Sequence, residues 1–526
     1  MALLTLGFPP PAAGAGSQLV FSTYLGGAFK YGDIGNDVAV DPAGNVYVTG
    51  RSYYSNFPVT LGAFQTTHRN LGPFDTTAFV AKFDPTGSRL IYATYLGGEG
   101  GETSGEGIAV DAAGDAYVSG YASSKNFPTT PGALRAGGTG GFVTKVNPAG
   151  SGLVYSTLLG DPTTHAGGIA VDAAGDAYVA AGTVTKLDPS GALVYSSSLG
   201  GHASAADVAV DPAGGAYVAG SASEGFQATP GAFQGNGAGA FAAKLEPSGQ
   251  GFAYSTLLGI PKRGASAIAV DAAGDAYIAA GKTVKLNPAG ALAYSSSLSG
   301  ARAADVAVDA TGDAFVTGAN RSSRFRTTSG ALERHRAPGR RRPNTPFVAE
   351  LNPDGSGLAY ATYLGGASDF ASAVAVGPDG DPYVTGGTIS GVLPTSPGAF
   401  QRKSHSREGY AAFATALDPS GQPVPGLSIE TIERRGDRVR LRGRLDPGAE
   451  GTLEASARAG QRQRRMTLRR RSGTFVATAK LDRGPWTIVI SFDGRGGWQG
   501  EGVCRRARLG PDRPRNWAPV RSRGCS

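Results

Sequence analysis

One phrase recurs seven times along this chain, and the repetition restricts the possible folds more than any other feature. The first copy, VAVDPAGNVYVTG, occupies residues 38–50, and the others begin at Ile108, Ile169, Val208, Ile268, Val306 and Val374. Successive copies lie between about 39 and about 70 residues apart. A constant phrase at variable spacing predicts a repeated structural unit that carries a loop of variable length.

Each copy predicts a β-hairpin, because two runs of alternating apolar residues flank a turn. In the first copy, Asp41 can accept from the backbone two residues on, Pro42 presets its own φ, and Gly44 allows a positive φ. Two further runs, residues 79–83 and 90–96, predict a third and a fourth strand. Four antiparallel strands per unit are typical of one blade of an all-β propeller.

The seventh copy lacks its fourth strand, since QPVPG follows the third strand and its turn. A matching strand, residues 19–27, precedes the first hairpin, and we expect it to complete the last blade and leave no open edge. The phrases STYLGG, AVDxxGxxYVTG and NFPTTPGA resemble the SBBP repeat of bacterial, often surface-exposed or secreted proteins, over about residues 19–420. The resemblance implies a seven-bladed β-propeller without a shared catalytic motif.

Composition divides the chain near residue 425. Residues 426–526 contain 23 Arg and Lys against 10 Asp and Glu, a net charge of +13, whereas the preceding residues carry −5. We predict a signal peptide at 1–15, with a disordered or mis-started leader as the alternative, the propeller at 16–425, a basic domain at 427–510 and a tail at 511–526. No later apolar run is long enough to span a bilayer.

The basic domain shows short alternating strands, which predict a small Ig-like β-sandwich. Arginines 438, 440, 442 and 444 fall on one face of a strand and can bind an anionic cell-wall polymer, although they also suit a plain solvent-exposed face. No recognition motif accompanies this charge, so we expect no nucleic-acid binding. In an exported protein, Cys504 and Cys525 would form a disulfide; the alternative is two free thiols.

The loop between the second and third strands is long in five units, and binding residues favour loops on a rigid scaffold. The candidate binding face includes Tyr53, Tyr54, His68 and Phe74 of the first loop. Phe and Leu of a repeated loop phrase are expected to pack on their own blade, with ligand stacking as the alternative. The long segments are residues 51–76, 121–139, 221–238, 319–345 and 387–408.

Asp37, Asp207 and Asp305 each precede an inner strand and are predicted to face the channel mouth, where a calcium site is the alternative to a structural role. His165 and His202 belong to connectors of the same predicted face. No metal-binding or catalytic spacing accompanies them. We therefore assign no catalytic, cofactor-binding or metal-ligating residue.

These observations favour a monomeric extracellular or cell-envelope protein that contacts a protein, another macromolecule or a glycan. The alternative is a propeller enzyme, a lyase or hydrolase acting on polysaccharide or ester, because a site assembled from several blades leaves no linear motif. Such an enzyme would draw on His165, His202, Asp207 and Asp305.

Overall fold

The computed structural model describes the residues that carry the regular structure of the chain. They are residues 19–27, 32–69, 72, 75–200, 202–322, 324–328, 330–336, 344–396, 398–406, 409–420, 428–435, 438–444, 451–459, 462–471, 474–480, 486–494 and 503–509. Within them every regular element is a β-strand, so the all-β prediction is confirmed. The chain divides into a unit at Leu19–Pro419 and a C-terminal unit that begins at Ser420. The predicted signal peptide and the tail at 511–526 lie outside the described residues.

The described part of the first unit contains seven antiparallel sheets of four strands, numbered here in the order of the repeats. Sheet 1 comprises β2 (Asp33–Val40), β3 (Val46–Ser52), β4 (Thr77–Phe83) and β5 (Leu90–Leu96). Sheet 2 comprises β6 (Thr103–Val110), β7 (Ala116–Ala122), β8 (Gly140–Val146) and β9 (Leu153–Leu159). Sheet 3 comprises β10 (Ile169–Val171), β11 (Ala177–Ala180), β12 (Val184–Leu187) and β13 (Leu193–Ser197).

The remaining sheets repeat this order of strands. Sheet 4 comprises β14 (Ala203–Val210), β15 (Ala216–Ala222), β16 (Gly239–Leu245) and β17 (Phe252–Leu257). Sheet 5 comprises β18 (Ala267–Val270), β19 (Ala276–Ala279), β20 (Thr283–Leu286) and β21 (Leu292–Ser296). Sheet 6 comprises β22 (Ala301–Val308), β23 (Ala314–Asn320), β24 (Thr345–Leu351) and β25 (Leu358–Tyr363). Sheet 7 comprises β26 (Phe370–Val376), β27 (Pro382–Thr388), β28 (Ala411–Leu417) and the N-terminal strand β1 (Leu19–Leu25).

The hairpin turn between the first two strands is held by its aspartate. One oxygen of the Asp41 carboxylate accepts the N–H groups of Ala43 at 3.0 Å and Asn45 at 2.9 Å. Gly44 has a φ of +81°, in the region that favours glycine. The turn chemistry inferred from the sequence is therefore present in the structure.

In sheets 1 to 5, a second set of contacts at this turn joins the sheet to the next one. The hydroxyl of Tyr47 in sheet 1 lies 3.0 Å from the Asp41 carboxylate and 3.2 Å from the Gly114 carbonyl oxygen in sheet 2. Lys82 Nζ lies 3.5 Å from Asp41 Oδ2 and 4.7 Å from the centre of the Tyr47 ring. The equivalent trios are Asp111, Tyr117 and Lys145; Asp172, Tyr178 and Lys186; Asp211, Tyr217 and Lys244; and Asp271, Tyr277 and Lys285. Each of sheets 1 to 5 thus has the same contact of aspartate, tyrosine and lysine with the next sheet, which we call the joint.

Sheets 6 and 7 lack the joint. In sheet 6, Phe315 and Glu350 stand where the other sheets have tyrosine and lysine. Burial, together with the charges of Asp313 and Asp309, raises the pKa of Glu350 to about 7. In sheet 7, Ala416 stands opposite Tyr383. The boundary between sheets 6 and 7 therefore has the carboxylates of Asp309, Asp313 and Glu350 without the lysine that pairs with the equivalent aspartates in sheets 1 to 5.

Apolar side chains fill the space between neighbouring sheets. One cluster joins Tyr47 and Val80 of sheet 1 to Ile108 and Val118 of sheet 2. Burial of such side chains is worth about 25 cal/mol per Å² of apolar surface. The first strands of successive sheets pack against each other, and β2 also contacts β26 and β27.

The described strands of the C-terminal unit form two four-stranded sheets. One runs in the order β29 (Ser428–Arg435), β30 (Arg438–Arg444), β34 (Thr474–Lys480) and β33 (Thr467–Arg471). The other runs β32 (Arg462–Arg465), β31 (Gly451–Ala459), β35 (Trp486–Gly494) and β36 (Val503–Leu509). Along β30, Arg438 and Arg440 are exposed and Val439 is buried, as the alternation in the sequence predicts.

Candidate functional site

The five long loops follow the outer edges of their sheets. In sheet 1, the N–H of Thr60 donates to the carbonyl of Ala93 on the edge strand β5 at 2.9 Å, and the N–H of Ala93 donates to Thr60 Oγ1 at 3.0 Å. The same pair of contacts joins Thr130 to Ser156, Thr229 to Ser255, Thr328 to Ala361 and Ser396 to Ser22. Part of each loop is therefore hydrogen-bonded to an edge strand of its own sheet. This arrangement differs from our expectation that the five loops together form one recognition face.

The repeated aromatic residue of the loops packs on its own sheet. Phe57 is buried, and its ring centre lies 4.3 Å from that of Phe79. Phe127 with Phe142, Phe226 with Phe241 and Phe325 with Phe347 form equivalent pairs. Packing, rather than ligand stacking, thus accounts for these phenylalanines.

The individual candidates of the first loop are also held by intramolecular contacts. His68 is buried, with Nε2 3.2 Å from the carbonyl of Ser52 and its ring edge-on to Tyr95. The carbonyl of Tyr54 accepts the hydroxyl of Tyr95 at 3.0 Å. The Tyr53 ring lies 6.0 Å from the guanidinium of Arg51. Phe74 lies outside the described residues.

The two candidate connector histidines are exposed. His165 stacks on Tyr121 with ring centres 4.0 Å apart and an interplanar angle of 9°. His202 has Nδ1 3.4 Å from the hydroxyl of Ser223, and its carbonyl accepts the Ser223 N–H at 2.7 Å. Each histidine thus contacts a residue that lies close to the end of a strand.

The three candidate aspartates tie first strands together. One oxygen of Asp37 accepts the N–H of Val38 at 2.8 Å, and the other accepts the N–H of Ile108 in sheet 2 at 2.7 Å. The same contacts link Asp207 to Val208 and Ile268, and Asp305 to Val306 and Val374. Each carboxylate therefore bridges two adjacent sheets through backbone donors.

The aspartates also share a common electrostatic environment. Burial raises the pKa of Asp37 to about 7 and that of Asp207 to about 6, although the backbone donors lower both values. Burial, followed by the charge of Asp37, raises the pKa of Asp305 well above its usual range. In the described part of the chain, no group of three or more His, Cys, Asp and Glu side chains is arranged to hold a metal ion.

A depression of about 1220 Å³ lies where the connection from β21 to β22 meets the loop after β23. Its lining residues are Ser297, Ser299, Gly300, Arg321, Ser322, Arg324 and Arg326. The three arginines are exposed. Over the ranges that the structure describes, none of the three forms an ion pair with a carboxylate. The depression is therefore a concave surface of uncompensated positive charge.

The start of this loop is fixed by a buried asparagine. Asn320 donates to the carbonyl of Ser322 at 2.7 Å and to the hydroxyl of Tyr363 at 2.9 Å, and its side-chain oxygen accepts the N–H of Ser322. Arg321 donates to Asn344 Oδ1 at 2.5 Å. These hydrogen bonds fix the start of the loop that carries Arg321, Arg324 and Arg326.

A smaller depression, of about 470 Å³, lies among sheets 5, 6 and 7, with Arg263 and Arg302 in its lining. Both side chains are exposed. None of these five arginines was among the residues predicted from the sequence. The arginine-rich sequence NRSSRFR at 320–326 could have indicated this surface. That the two connections lie side by side is visible only in the folded structure.

Repeated four-stranded antiparallel sheets joined by recurring contacts place this chain in the class of β-propeller proteins. The family model of the SBBP β-propeller repeat matches residues 20–58 and 91–128. The chain thus contains SBBP repeats at these two segments, and the recognition of this repeat from the sequence is confirmed.

Two solved structures are similar to the chain at low sequence identity. The WD40 β-propeller domain of Doa1 is 12% identical, with 76% of this chain and 96% of that chain covered and a TM-score of 0.45. The C-terminal WD40 domain of Sif2 is 9% identical, with coverages of 75% and 98% and a TM-score of 0.37. A search among curated proteins returned no match. The residues described contain no helix long and apolar enough to cross a membrane.

Proposed function

We propose that this chain is a secreted or cell-envelope interaction protein whose arginine-lined depression binds an acidic glycan or a similar anionic polymer. The observation that carries the proposal is the group of Arg321, Arg324 and Arg326 around one concave surface without carboxylate partners. Guanidinium groups form strong, directional hydrogen bonds with carboxylates, sulfates and phosphates. The volume of about 1220 Å³ exceeds the ~300–1,000 Å³ typical of small-molecule sites, which favours several units of a polymer.

We further propose that the seven sheets close into a seven-bladed propeller. Two observations support closure: β1 pairs with β28 in sheet 7, and β2 of sheet 1 packs against β26 and β27 of the same sheet. A closed ring removes the open edge between the first and last repeats. It also holds the depression on a rigid frame.

The C-terminal unit is proposed to be an Ig-like sandwich that contacts an anionic cell-wall polymer. The exposed Arg438 and Arg440 on β30, Arg469 on β33 and Arg464 on β32 support this proposal. The proposed disulfide joins Cys504, in strand β36, to Cys525, which lies outside the described residues. Comparing the mass of the intact protein with and without reductant and thiol alkylation tests it.

The main test is binding of hexagalacturonate to the full chain, with neutral maltohexaose as the comparison ligand. The test variant is Arg321→Ala/Arg324→Ala/Arg326→Ala. The control variant, Arg69→Ala/Arg402→Ala/Lys403→Ala, removes the same charge from exposed positions in other loops. We expect the test variant to bind at least about 10-fold more weakly, about 1.4 kcal/mol, and the control to bind within about 2-fold of the original protein.

Equal loss in both triple variants would mean that the depression has no special role and that overall charge governs binding. Equal affinity for the neutral sugar would contradict the charge-based proposal. Salt should weaken binding to the original protein more than to the test variant, because fewer charge contacts remain to be screened.

A further inference from the structure

Sheets 3 and 5 differ from the other five sheets at their outer edges. Their second and third strands are joined by tight turns, Ala180 to Val184 and Ala279 to Thr283, so neither sheet has a long loop. The edge strands β13 and β21 therefore lack the segment that accompanies every other edge strand in the described unit.

That segment makes two contacts with the edge strand, five residues apart. In sheet 2, the N–H of Thr130 donates to the Ser156 carbonyl at 3.0 Å, and the Ser156 N–H donates to Thr130 Oγ1 at 2.9 Å. Further on, the N–H of Leu158 donates to the carbonyl of Arg135 at 3.1 Å. The second contact recurs as Tyr95 to Gln65, Leu257 to Gln234, Tyr363 to Glu333 and Tyr24 to Gln401.

A turn between the two contacts gives the segment its shape. The N–H of Ala133 donates to the carbonyl of Thr130 at 3.2 Å. The segments read TLGA, TPGA, TPGA, TSGA and SPGA, beginning at Thr60, Thr130, Thr229, Thr328 and Ser396. In five sheets of this chain, the segment that pairs with the edge strand is therefore a Thr or Ser followed by a turn with Gly and Ala.

The edges of sheets 3 and 5 have the same register as the covered ones. In sheet 1, Ala93 stands opposite Ala81, and Ser196 and Ser295 stand opposite Thr185 and Val284 in the same way. Since the N–H and carbonyl of Ala93 point outward to the loop, those of Ser196 and Ser295 point outward too. Both serines are exposed, and within the described residues no loop pairs with them.

We propose that β13 and β21 each bind a Thr/Ser-x-Gly-Ala turn segment of a partner protein, which would pair with the strand edge as the internal loops do in the other sheets. Backbone hydrogen bonds along a sheet edge would supply the affinity, and the threonine hydroxyl would supply the specificity. The partner segment does not require the phenylalanine of the internal loops, because the position of Phe79 is occupied by Thr183 in sheet 3 and by Lys282 in sheet 5. Exposed apolar side chains on these strands, Val194 at 54% and Leu292 at 38%, add contact area for such a segment.

The test uses the intact protein and a fluorescent peptide with the sequence of residues 128–135, PTTPGALR, followed by anisotropy. We expect saturable binding to two sites per chain. Replacing the peptide threonine equivalent to Thr130 by valine, or methylating its backbone nitrogen, should weaken binding about 10-fold or more, since each change removes one hydrogen bond of the reciprocal pair.

Variants of the protein provide a matched pair at the same positions. Ser196→Pro/Ser295→Pro removes the outward N–H donors and should abolish peptide binding, whereas Ser196→Ala/Ser295→Ala removes only hydroxyls and should retain it. The peptide variants keep the test decisive if the proline variant does not fold.

Absence of saturable binding, or equal binding of the valine and threonine peptides, would overturn the proposal. Self-association of the protein that disappears in the proline variant, without peptide binding, would assign the edges to a second copy of the chain and would also overturn it.

Discussion

Removing the tyrosine hydroxyl from one joint of aspartate, tyrosine and lysine should lower the free energy of unfolding by a defined amount. The Tyr117 hydroxyl lies 3.0 Å from the Asp111 carboxylate and 3.2 Å from the carbonyl oxygen of Gly175 in the next sheet. In Tyr117→Phe, Asp111 keeps Lys145 at 3.2 Å, but the Gly175 carbonyl loses this donor. Loss of a buried hydrogen bond to a charged acceptor costs about 1.5–3 kcal/mol, and the remaining lysine places the expected loss near the lower end, about 1.5 kcal/mol.

Urea unfolding at pH 7, followed by tyrosine fluorescence and circular dichroism, measures this loss. The control is Tyr121→Phe, because the Tyr121 ring stacks on His165 at a strand end and its change should stay within about 0.5 kcal/mol. A loss below about 0.5 kcal/mol in Tyr117→Phe, or an equal loss in Tyr121→Phe, would show that the joint does not stabilise the sheets as we infer.

Three further predictions concern other contacts between neighbouring sheets. Since the pKa of Asp37 is raised to about 7, the folded chain holds a proton that the unfolded chain has released, so stability should fall as pH rises from about 4 to 7; Asp37→Asn should flatten that part of the profile in melts taken across this range. Glu350→Lys supplies the lysine found in sheets 1 to 5 and should raise stability at pH 7 by up to about 1 kcal/mol in urea titrations, and lower stability would contradict the joint. A Cβ on Gly168 would lie 1.6 Å from Asp207 Oδ1, so Gly168→Ala should cost about 2 kcal/mol or more in thermal unfolding, whereas Gly251→Ala, in open space, should be nearly neutral.

The strands of the repeats were predictable because their signals are local. Alternating apolar residues and the turn of Asp41, Pro42 and Gly44 specify a hairpin within about a dozen residues. The same locality explains the interpretation of Phe57 as a packing residue, since the phrase around it recurs wherever a loop must settle on a sheet.

The paths of the loops and the position of the arginine-lined depression were not predictable in the same way. Thr60 meets Ala93 across 33 residues, and nothing in either residue type indicates the pairing. The depression depends on two connections that converge only in the fold, one of them carrying Arg321. For Asp37, the sequence indicated a position before an inner strand, but its partner, the N–H of Ile108, is a backbone group that residue identity does not reveal.

The N-terminal strand β1 imposes an order on the maturation of the chain. It is held on one side by β28 and on the other by the loop of sheet 7, through contacts such as Ser396 to Ser22 and Gln401 to Tyr24. These partners are about 374 to 393 residues away along the chain. At a synthesis rate of about 5–20 residues per second, β1 must wait on the order of 20–80 s for them. During that time its apolar face needs protection, so a holding chaperone should matter most while the last repeat is still being made.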